Sequence, residues 1–190
     1  MEITQVNQKE LYLQAINCIN NEEEKALYCI YDKNYVVVGV EQQPNFEYIE
    51  NNNIEIFDIP TLGGTIVVNR GDIGFGMASP SLAKANAFIF RAKDNLVSLL
   101  TNKNLNVSTE HNDVMIDGYK VASCCSILKN NMALSVFQLS LNVNLELIQN
   151  ICTKPMVKIP KGLSEFGITT EELIENVVIK TAKDMEILIL

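Results

Sequence analysis

A cation and two polar side chains flank a predicted hairpin at residues 112–122. The segment contains an Asp-Gly pair, which tolerates the positive backbone dihedral angles of a tight hairpin turn. The turn places Lys120 at the start of the returning strand, so that the sheet holds its ammonium group. Asn112 and Asp113 precede the outgoing strand. A rigidly held cation beside polar groups suits the binding of a carbonyl oxygen or a phosphate.

A pair of glycines, Gly63 and Gly64, stands directly before a second predicted strand that begins at Thr65. Glycine lets the backbone amides of a loop approach a ligand closely, but it also simply allows a chain to turn. The same ambiguity applies to Lys120, since an exposed lysine after a hairpin is common. It applies also to Asn112 and Asp113, which are typical of turns.

Four segments together resemble the superfamily of lipoate–protein ligases, octanoyltransferases and biotin–protein ligases. Besides the hairpin and the glycine pair, residues 36–44 resemble its strand that ends in Gly, followed by Gln and Pro. Residues 139–144 resemble the octanoyltransferase strand that ends in Leu-Asn-Val. The order and rough spacing agree over about residues 26–150. The resemblance implies an α+β fold of mixed, mostly antiparallel sheets flanked by helices.

The resemblance also implies a function and roles for the marked residues. The chain would move a lipoyl or octanoyl group to a lysine of a lipoyl domain, through an acyl-adenylate or an acyl-thioester. Lys120 would contact the acyl carbonyl and, in a ligase, the adenylate phosphate. The implied substrate-binding residues are Gly63, Gly64, Thr65, Asn112 and Asp113, with Asp113 reaching a metal or a ribose if a nucleotide binds. ATP and Mg²⁺ would act together with lipoate.

At four places the chain lacks residues that are typical of the superfamily. An arginine, a histidine, a His-Gly pair and a glycine are replaced by Thr61-Leu62, Asn69-Arg70, Phe137-Gln138 and Ser123, respectively. These differences leave the fold intact but remove polar groups from the acyl pocket. An alternative is therefore a noncatalytic relative that binds a partner ligase subunit or an acyl ligand, so enzymatic activity stays open. A biotin-directed ligase is a third option.

The cysteines and the single histidine give weaker indications. Cys152 follows the Leu-Asn-Val segment, where octanoyltransferases carry a nucleophilic cysteine, but it comes several residues early and lacks a Pro-Cys-Gly context. A buried, inert thiol is the alternative, because a nucleophile needs a depressed pKa. Cys124 and Cys125 are neighbours in a predicted strand and should face opposite sides. With His111 as the one histidine, no zinc site is expected.

Composition limits the classes of partner. The formal net charge is −8, which argues against nonspecific nucleic-acid binding. Five cysteines without framework spacing, and an N-terminus without an export signal, favour a reducing cytoplasm. No apolar stretch approaches the roughly 20 residues of a membrane span. We therefore expect one cytoplasmic catalytic domain over residues 1–190, with no C-terminal accessory domain and a lipoyl-domain acceptor or partner ligase subunit.

Hydrophobic periodicity predicts the elements that would position these residues. Helices are expected at residues 9–20, from Ser79-Pro80-Ser81 to about residue 100, and from a capping box at Thr169 to Met185. Residues 26–31 and 35–40 read as a hairpin. Three antiparallel strands are expected at residues 114–116, 119–128 and 132–143. Shorter elements are predicted at residues 46–51, 54–59, 65–68, 73–77 and 145–152.

Overall fold

The computed structural model describes residues 2–38, 43–58, 64–129 and 131–187. Its strands are β1 (Ile3–Gln5), β2 (Lys25–Ile30), β3 (Tyr35–Val38), β4 (Glu55–Asp58), β5 (Ile66–Val68), β6 (Ile73–Ser79), β7 (Val107–Glu110), β8 (Asp113–Ile116), β9 (Tyr119–Lys129) and β10 (Met132–Leu139). Its α-helices are α1 (Gln8–Asn21), α2 (Phe46–Asn51), α3 (Leu82–Asn102), α4 (Leu145–Ile151), α5 (Thr170–Leu173) and α6 (Lys180–Ile187). A 3₁₀ turn spans Leu163–Phe166, and a π-helical stretch, Ile174–Ile179, joins α5 to α6.

The strands of the described residues form two sheets. The large sheet has the order β1-β2-β6-β10-β9-β8-β7, and only its β1–β2 pair is parallel. The small sheet has the order β4-β3-β5, with β4 parallel to β3. The prediction of an α+β fold with mostly antiparallel sheets and flanking helices is confirmed. None of the described helices is both long enough and apolar enough to cross a membrane.

A helical layer covers one face of the large sheet. Its main element, α3, begins where the hydroxyl of Ser81 accepts a hydrogen bond from the backbone of Lys84. The predicted helix start is thus confirmed, although Pro80 lies before the cap and not in the first turn. Phe88 of α3 packs edge-on against Phe75 of the sheet, with ring centres 5.9 Å apart. Burial of such aromatic rings makes this layer the principal core.

The opposite face of the large sheet packs against α1 and the small sheet. Leu11 of α1 and Val37 of β3 meet Leu27 and Val136 of the large sheet in a second buried cluster. A third, smaller cluster joins the back of the small sheet to α2 and α4. The two sheets are therefore stacked, and the space between their ends can hold a ligand.

The predicted hairpin at residues 26–31 and 35–40 is wrong. β2 pairs with β1 and β6 in the large sheet, whereas β3 pairs with β4 and β5 in the small one. The polar residues between the two strands carry the chain from one sheet to the other. The strands β1 and β7 were not predicted, because they are short and largely exposed and so show no apolar alternation.

The capping box at Thr169 is confirmed. Its hydroxyl accepts a hydrogen bond from the backbone of Glu172, whose carboxylate accepts one from the backbone of Thr169. Three marked residues (Thr61, Leu62 and Gly63) lie outside the described residues, as does the segment 39–42 that follows β3.

Candidate functional site

The predicted hairpin between β8 and β9 is confirmed. Asp117 and Gly118 have φ angles of 51° and 81°, and the flanking residues Ile116 and Tyr119 face each other. One irregularity follows: Met115 pairs with Lys120, whereas Val114 pairs with Ala122. The strand β9 thus carries one extra residue, a β-bulge immediately after Lys120. Bulges bend a strand and redirect its side chains, which is why they often occur beside functional sites.

The backbone of Lys120 is fixed by the segment of residues 153–161, here called the strap. The amide of Lys120 donates to the carbonyl of Ile159 at 3.0 Å, and its carbonyl accepts from the amide of Lys161 at 2.9 Å. β10 pairs with β9 as far as Leu139, which is opposite Ala122. Beyond that point the strap lies beside β9 instead, with Pro160 opposite Lys120. Lys120 is therefore held by pairing on both sides.

The side chain of Lys120 belongs to a network of four charged side chains. Its Nζ lies 3.2 Å from Oδ1 of Asp113, whose Oδ2 lies 2.7 Å from Nζ of Lys158. Lys158 also contacts Glu110 at 3.0 Å. Hydrogen bonds to Asp113 and Glu110 raise the pKa of Lys158. Since both oxygens of Asp113 already bind ammonium groups, this carboxylate positions lysines and is not a free ligand for a metal or a ribose.

These lysines line a cavity of about 300 Å³ between the ends of the two sheets, α4 and the strap. The size is at the lower end of what small-molecule sites usually offer. Apolar side chains from β5, α4 and the strap form one part of its wall. Its polar lining includes Thr65, Lys120, Ser123, Gln138, Ser140 and Lys158.

The segment after the glycine pair meets Lys120 at this cavity. Thr65 and the next two residues line it, and Gly64, directly before Thr65, is half-buried. Gly63 lies outside the described residues. The hairpin and the glycine-led strand are thus brought together from two different sheets.

Asn112 does not line this cavity, so the structure does not bring the predicted Asn-Asp pair together there. It is exposed and lines a second cavity, between α3 and β9, together with His111. The backbone causes the separation: His111 has a φ of 50°, and Lys93 of α3 donates to its carbonyl. Asn112 therefore faces the helical layer while Asp113 reaches the lysines.

Cys152 lines the first cavity at the end of α4, where it is half-buried. Burial raises the pKa of its thiol. The thiol is therefore mostly protonated at neutral pH, which agrees with the inert alternative. Cys124 packs towards the helical layer and Cys125 towards the small sheet, so their predicted opposition is confirmed. Among the described residues no group of three or more acidic, His or Cys side chains could hold a metal.

Gln138 lines the cavity, although the sequence marks it only as a difference from the superfamily. In β10, Phe137 and Leu139 face the helical layer, while Gln138 faces the cavity beside Ser140. Its side chain is only 7% exposed. Neither its amide nitrogen nor its amide oxygen has a hydrogen-bond partner among the residues that the structure describes. A large polar residue near the end of an apolar strand is the signal that could have identified it.

A buried carboxyl supports the edge of the cavity. Asp72 accepts hydrogen bonds from the backbone amides of Asn69, Leu141 and Asn142. Burial raises the pKa of Asp72 to about 7, although these three bonds act in the opposite direction. Asn69, one of the two residues at the place where the superfamily usually has a histidine, accepts through Oδ1 from the amide of Asn144. Asp72 and Asn69 thus tie the turn after β5 to the Leu-Asn-Val segment.

The sequence model of the protein family described as the lipoyl protein ligase A/B catalytic domain matches residues 7–185. The chain belongs to this family. The match covers the small sheet, the strap and the large sheet apart from β1, so the whole cavity lies inside the family domain. No curated protein sequence matches the chain significantly.

Solved structures of this ligase family have the same fold. Lipoate-bound LipL1 of P. falciparum gives a TM-score of 0.75 at 16% identity, over 96% of this chain and 61% of that one. A lipoate-protein ligase A with bound ATP gives 0.75 at 12% identity, over 97% and 84%. The bipartite lipoate protein ligase of Thermoplasma acidophilum, studied with its E2 lipoyl domain, gives 0.74 at 15% identity, over 97% and 82%.

Proposed function

We propose that this member of the lipoyl ligase family binds a carboxylic acid, or its activated acyl form, in the first cavity. It then passes the acyl group to a lysine of a lipoyl domain, through an adenylate or a thioester. The observation that carries the proposal is that Lys120 and the glycine-led segment at Thr65 line one cavity. The relatives with bound lipoate and ATP support the same ligand class.

Lys120 would act on the acyl carbonyl. Its backbone is paired on both sides, and its ammonium is anchored by Asp113, so little reorganisation is needed when negative charge develops on an oxygen. An ammonium is a compact point charge, suited to a single carbonyl or phosphate oxygen. Lys120 thus stabilises the anionic oxygen that forms when the acceptor amine attacks.

The head group of the activated acid would meet further cations. Lys154 and Lys158 of the strap line the same cavity, and lysine is a common phosphate ligand. ATP supplies the activation of the carboxylate as an adenylate. Because the described residues form no acidic cluster, Mg²⁺ would be held mainly by phosphate oxygens, as is usual for this ion.

The proposal also includes the acceptor protein, a partner subunit and the cellular compartment. A lipoyl domain is the acceptor, and a second ligase subunit is the further partner, by analogy with the bipartite archaeal system. We also propose that the catalytic domain acts in the cytoplasm and binds neither nucleic acid nor membrane. These points rest on composition and charge.

A noncatalytic relative is the second candidate. Asn69 and Arg70 stand where the family usually has a histidine, and the backbone amide of Asn69 donates to Asp72 while its side-chain oxygen accepts from Asn144. Asn69 thus has a structural role at a position where the family has a polar group of the acyl pocket. Such a protein would bind an acyl ligand or a ligase subunit without transferring the group.

Calorimetric titration with octanoate and with lipoate, each with and without ATP and Mg²⁺, tests the proposal. Lys120→Met should weaken binding by about tenfold or more, the loss expected when a charge-assisted hydrogen bond is removed. Lys161→Met is the matched control, because Lys161 of the strap lies beside Lys120, but its ammonium packs over Tyr119 and Phe166. Mass spectrometry of a lipoyl domain then measures acyl transfer.

The outcomes separate the candidates. Binding and transfer that both depend on Lys120 support the ligase. Binding without transfer, under all these conditions, supports the noncatalytic relative. Absence of binding by any acid, or equal effects of the two lysine variants, overturns the acyl-binding role itself.

A further inference from the structure

The side chain of Gln138 lies in a row of residues that crosses the large sheet on its cavity face. In the strand register Gln138 is opposite Gly74 of β6 on one side and Ser123 of β9 on the other. The space beside Gly74 is filled by the side chain of Tyr31, whose Oη would lie 2.6 Å from a Cβ built on that glycine. The side nearer Ser123, a short residue that also lines the cavity, is open.

The amide of Gln138 is buried without being satisfied. It is 7% exposed, and neither Nε2 nor Oε1 has a hydrogen-bond partner within the described part of the chain. Folded proteins rarely leave a buried amide unpaired, because the lost hydrogen bonds to water are not replaced. The side chain lines the cavity, so its partners belong there: water in the free protein and a ligand in the complex.

We propose that Gln138 selects, within the acyl-binding function proposed above, acids whose chain carries an amide or urea group. A carboxamide offers two N–H donors and one carbonyl acceptor. A ligand group that both accepts and donates hydrogen bonds can therefore pair with both Nε2 and Oε1 of Gln138. A plain hydrocarbon or dithiolane tail would displace the water and leave both atoms unpaired. Such a site rejects the ligand that lacks the polar group.

The placement of Gln138 relative to Lys120 fits an elongated acid. Ser123, the cross-strand neighbour of Gln138, is three residues beyond Lys120 along β9, a distance of roughly 10 Å in a strand. A carboxyl group at Lys120 and a polar group at Gln138 would therefore be joined by a chain of several carbons. Gln138 is a specificity residue in this proposal, and Lys120 remains the group that contacts the acyl carbonyl.

Calorimetry with three acids tests the proposal: desthiobiotin, which carries a urea group, octanoate, and lipoate. Each is titrated with and without ATP into the full chain. The wild-type protein should bind desthiobiotin at least about tenfold more tightly than octanoate or lipoate. Gln138→Leu should remove that preference, leave octanoate binding unchanged or tighter, and raise the melting temperature. Gln149→Leu, an exposed glutamine of α4 outside the lining of this cavity, is the control and should change none of these values.

Each outcome decides the proposal. Tighter binding of octanoate or lipoate than of desthiobiotin, or a preference that survives Gln138→Leu, overturns the selection by Gln138 and leaves the acyl-binding function standing. Failure of all three acids to bind overturns both. If Gln138→Leu does not fold, the wild-type ranking decides, together with the nuclear magnetic resonance signal of the Gln138 side-chain amide. That signal should shift to higher frequency with desthiobiotin, whose carbonyl accepts a hydrogen bond from the amide, and should not do so with octanoate.

Discussion

Lys120 and Asp113 form an ion pair across the bulged end of the β8–β9 hairpin, with Nζ 3.2 Å from Oδ1. The second oxygen of Asp113 binds Lys158 at 2.7 Å. One carboxylate thus holds two ammonium groups at the cavity and partly neutralises them. An anionic ligand must compete with Asp113 for both lysines, so the affinity for a carboxylate or a phosphate depends on this residue.

Asp113→Asn should tighten the binding of anionic acids. The amide oxygen can still accept a hydrogen bond from one lysine, while the competing negative charge is removed. We expect octanoate to bind about two- to fivefold more tightly, with the gain falling as salt rises. Titration calorimetry at low and high ionic strength measures the effect. Weaker binding at both salt concentrations would show that Asp113 matters mainly for holding the lysines in position.

Cys152→Ser should leave acyl binding and any transfer activity within about twofold of wild type, the change expected when a protonated thiol is replaced by a hydroxyl. The physical reason is that burial raises the pKa of this thiol, so little thiolate exists at neutral pH. Mass spectrometry of the acceptor domain gives the rate. A loss of more than about a hundredfold would instead identify Cys152 as a nucleophile that forms an acyl-enzyme.

The titration of Asp72 should make stability depend on pH. Burial raises its pKa from 3.8 to about 7 in the folded protein. A raised pKa means that the folded state binds the proton more tightly than the unfolded state. The stability that this adds is fully present below about pH 4 and is lost as the pH rises through about 7.

Urea unfolding of the wild type and of Asp72→Asn at several pH values isolates this contribution. The wild-type free energy of unfolding, minus that of the variant, should fall between about pH 4 and pH 8. Asp72→Asn should also destabilise at every pH, since an amide nitrogen then faces backbone N–H groups. A difference that stays constant or rises with pH would contradict the assigned pKa.

Gly76→Ala and Gly118→Ala should destabilise the protein for different reasons. A Cβ at Gly76 would lie 2.5 Å from the backbone carbonyl of Ser135, which cannot move without breaking the β6–β10 pairing. We expect a loss of about 2–3 kcal/mol, as for other overpacked sites. At Gly118 no atom lies within 4 Å, but φ is +81°, so only about 1 kcal/mol of backbone strain is expected. Denaturant unfolding of both variants measures the order, and a larger loss at Gly118 would contradict this account.

Part of the fold could be predicted from the sequence, because it depends on interactions between residues that are close along the chain. The Asp-Gly turn at residues 117 and 118 needs positive φ angles that these two residues tolerate, and both adopt them. The hydroxyl caps at Ser81 and Thr169 fix two helix starts for the same kind of reason, because each satisfies a backbone amide a few residues away. Likewise, the alternation of β9 places Cys124 and Cys125 on opposite faces.

The pairing of the strands and the position of the cavity could not be predicted from local patterns in the sequence. The polar turn between β2 and β3 resembles a hairpin turn, yet the two strands belong to different sheets, because pairing depends on which distant edges are free. Asn112 and Asp113 are adjacent in sequence, but Asn112 lines the second cavity whereas Asp113 pairs with two lysines of the first, since the backbone turns at His111.

The sequence by itself determined the Asp-Gly turn at residues 117 and 118 and the two helix caps, because these depend on residues close together along the chain. It also indicated the family, through the order of four short segments. Only the tertiary structure decided that Asp113 binds two lysines and that the strap fixes Lys120. It also decided that the amide of Gln138 is buried at the same cavity without a hydrogen-bond partner among the described residues. The physical reason is that burial and pairing depend on segments up to about a hundred residues apart, such as Thr65 and Lys158, and no local pattern records them.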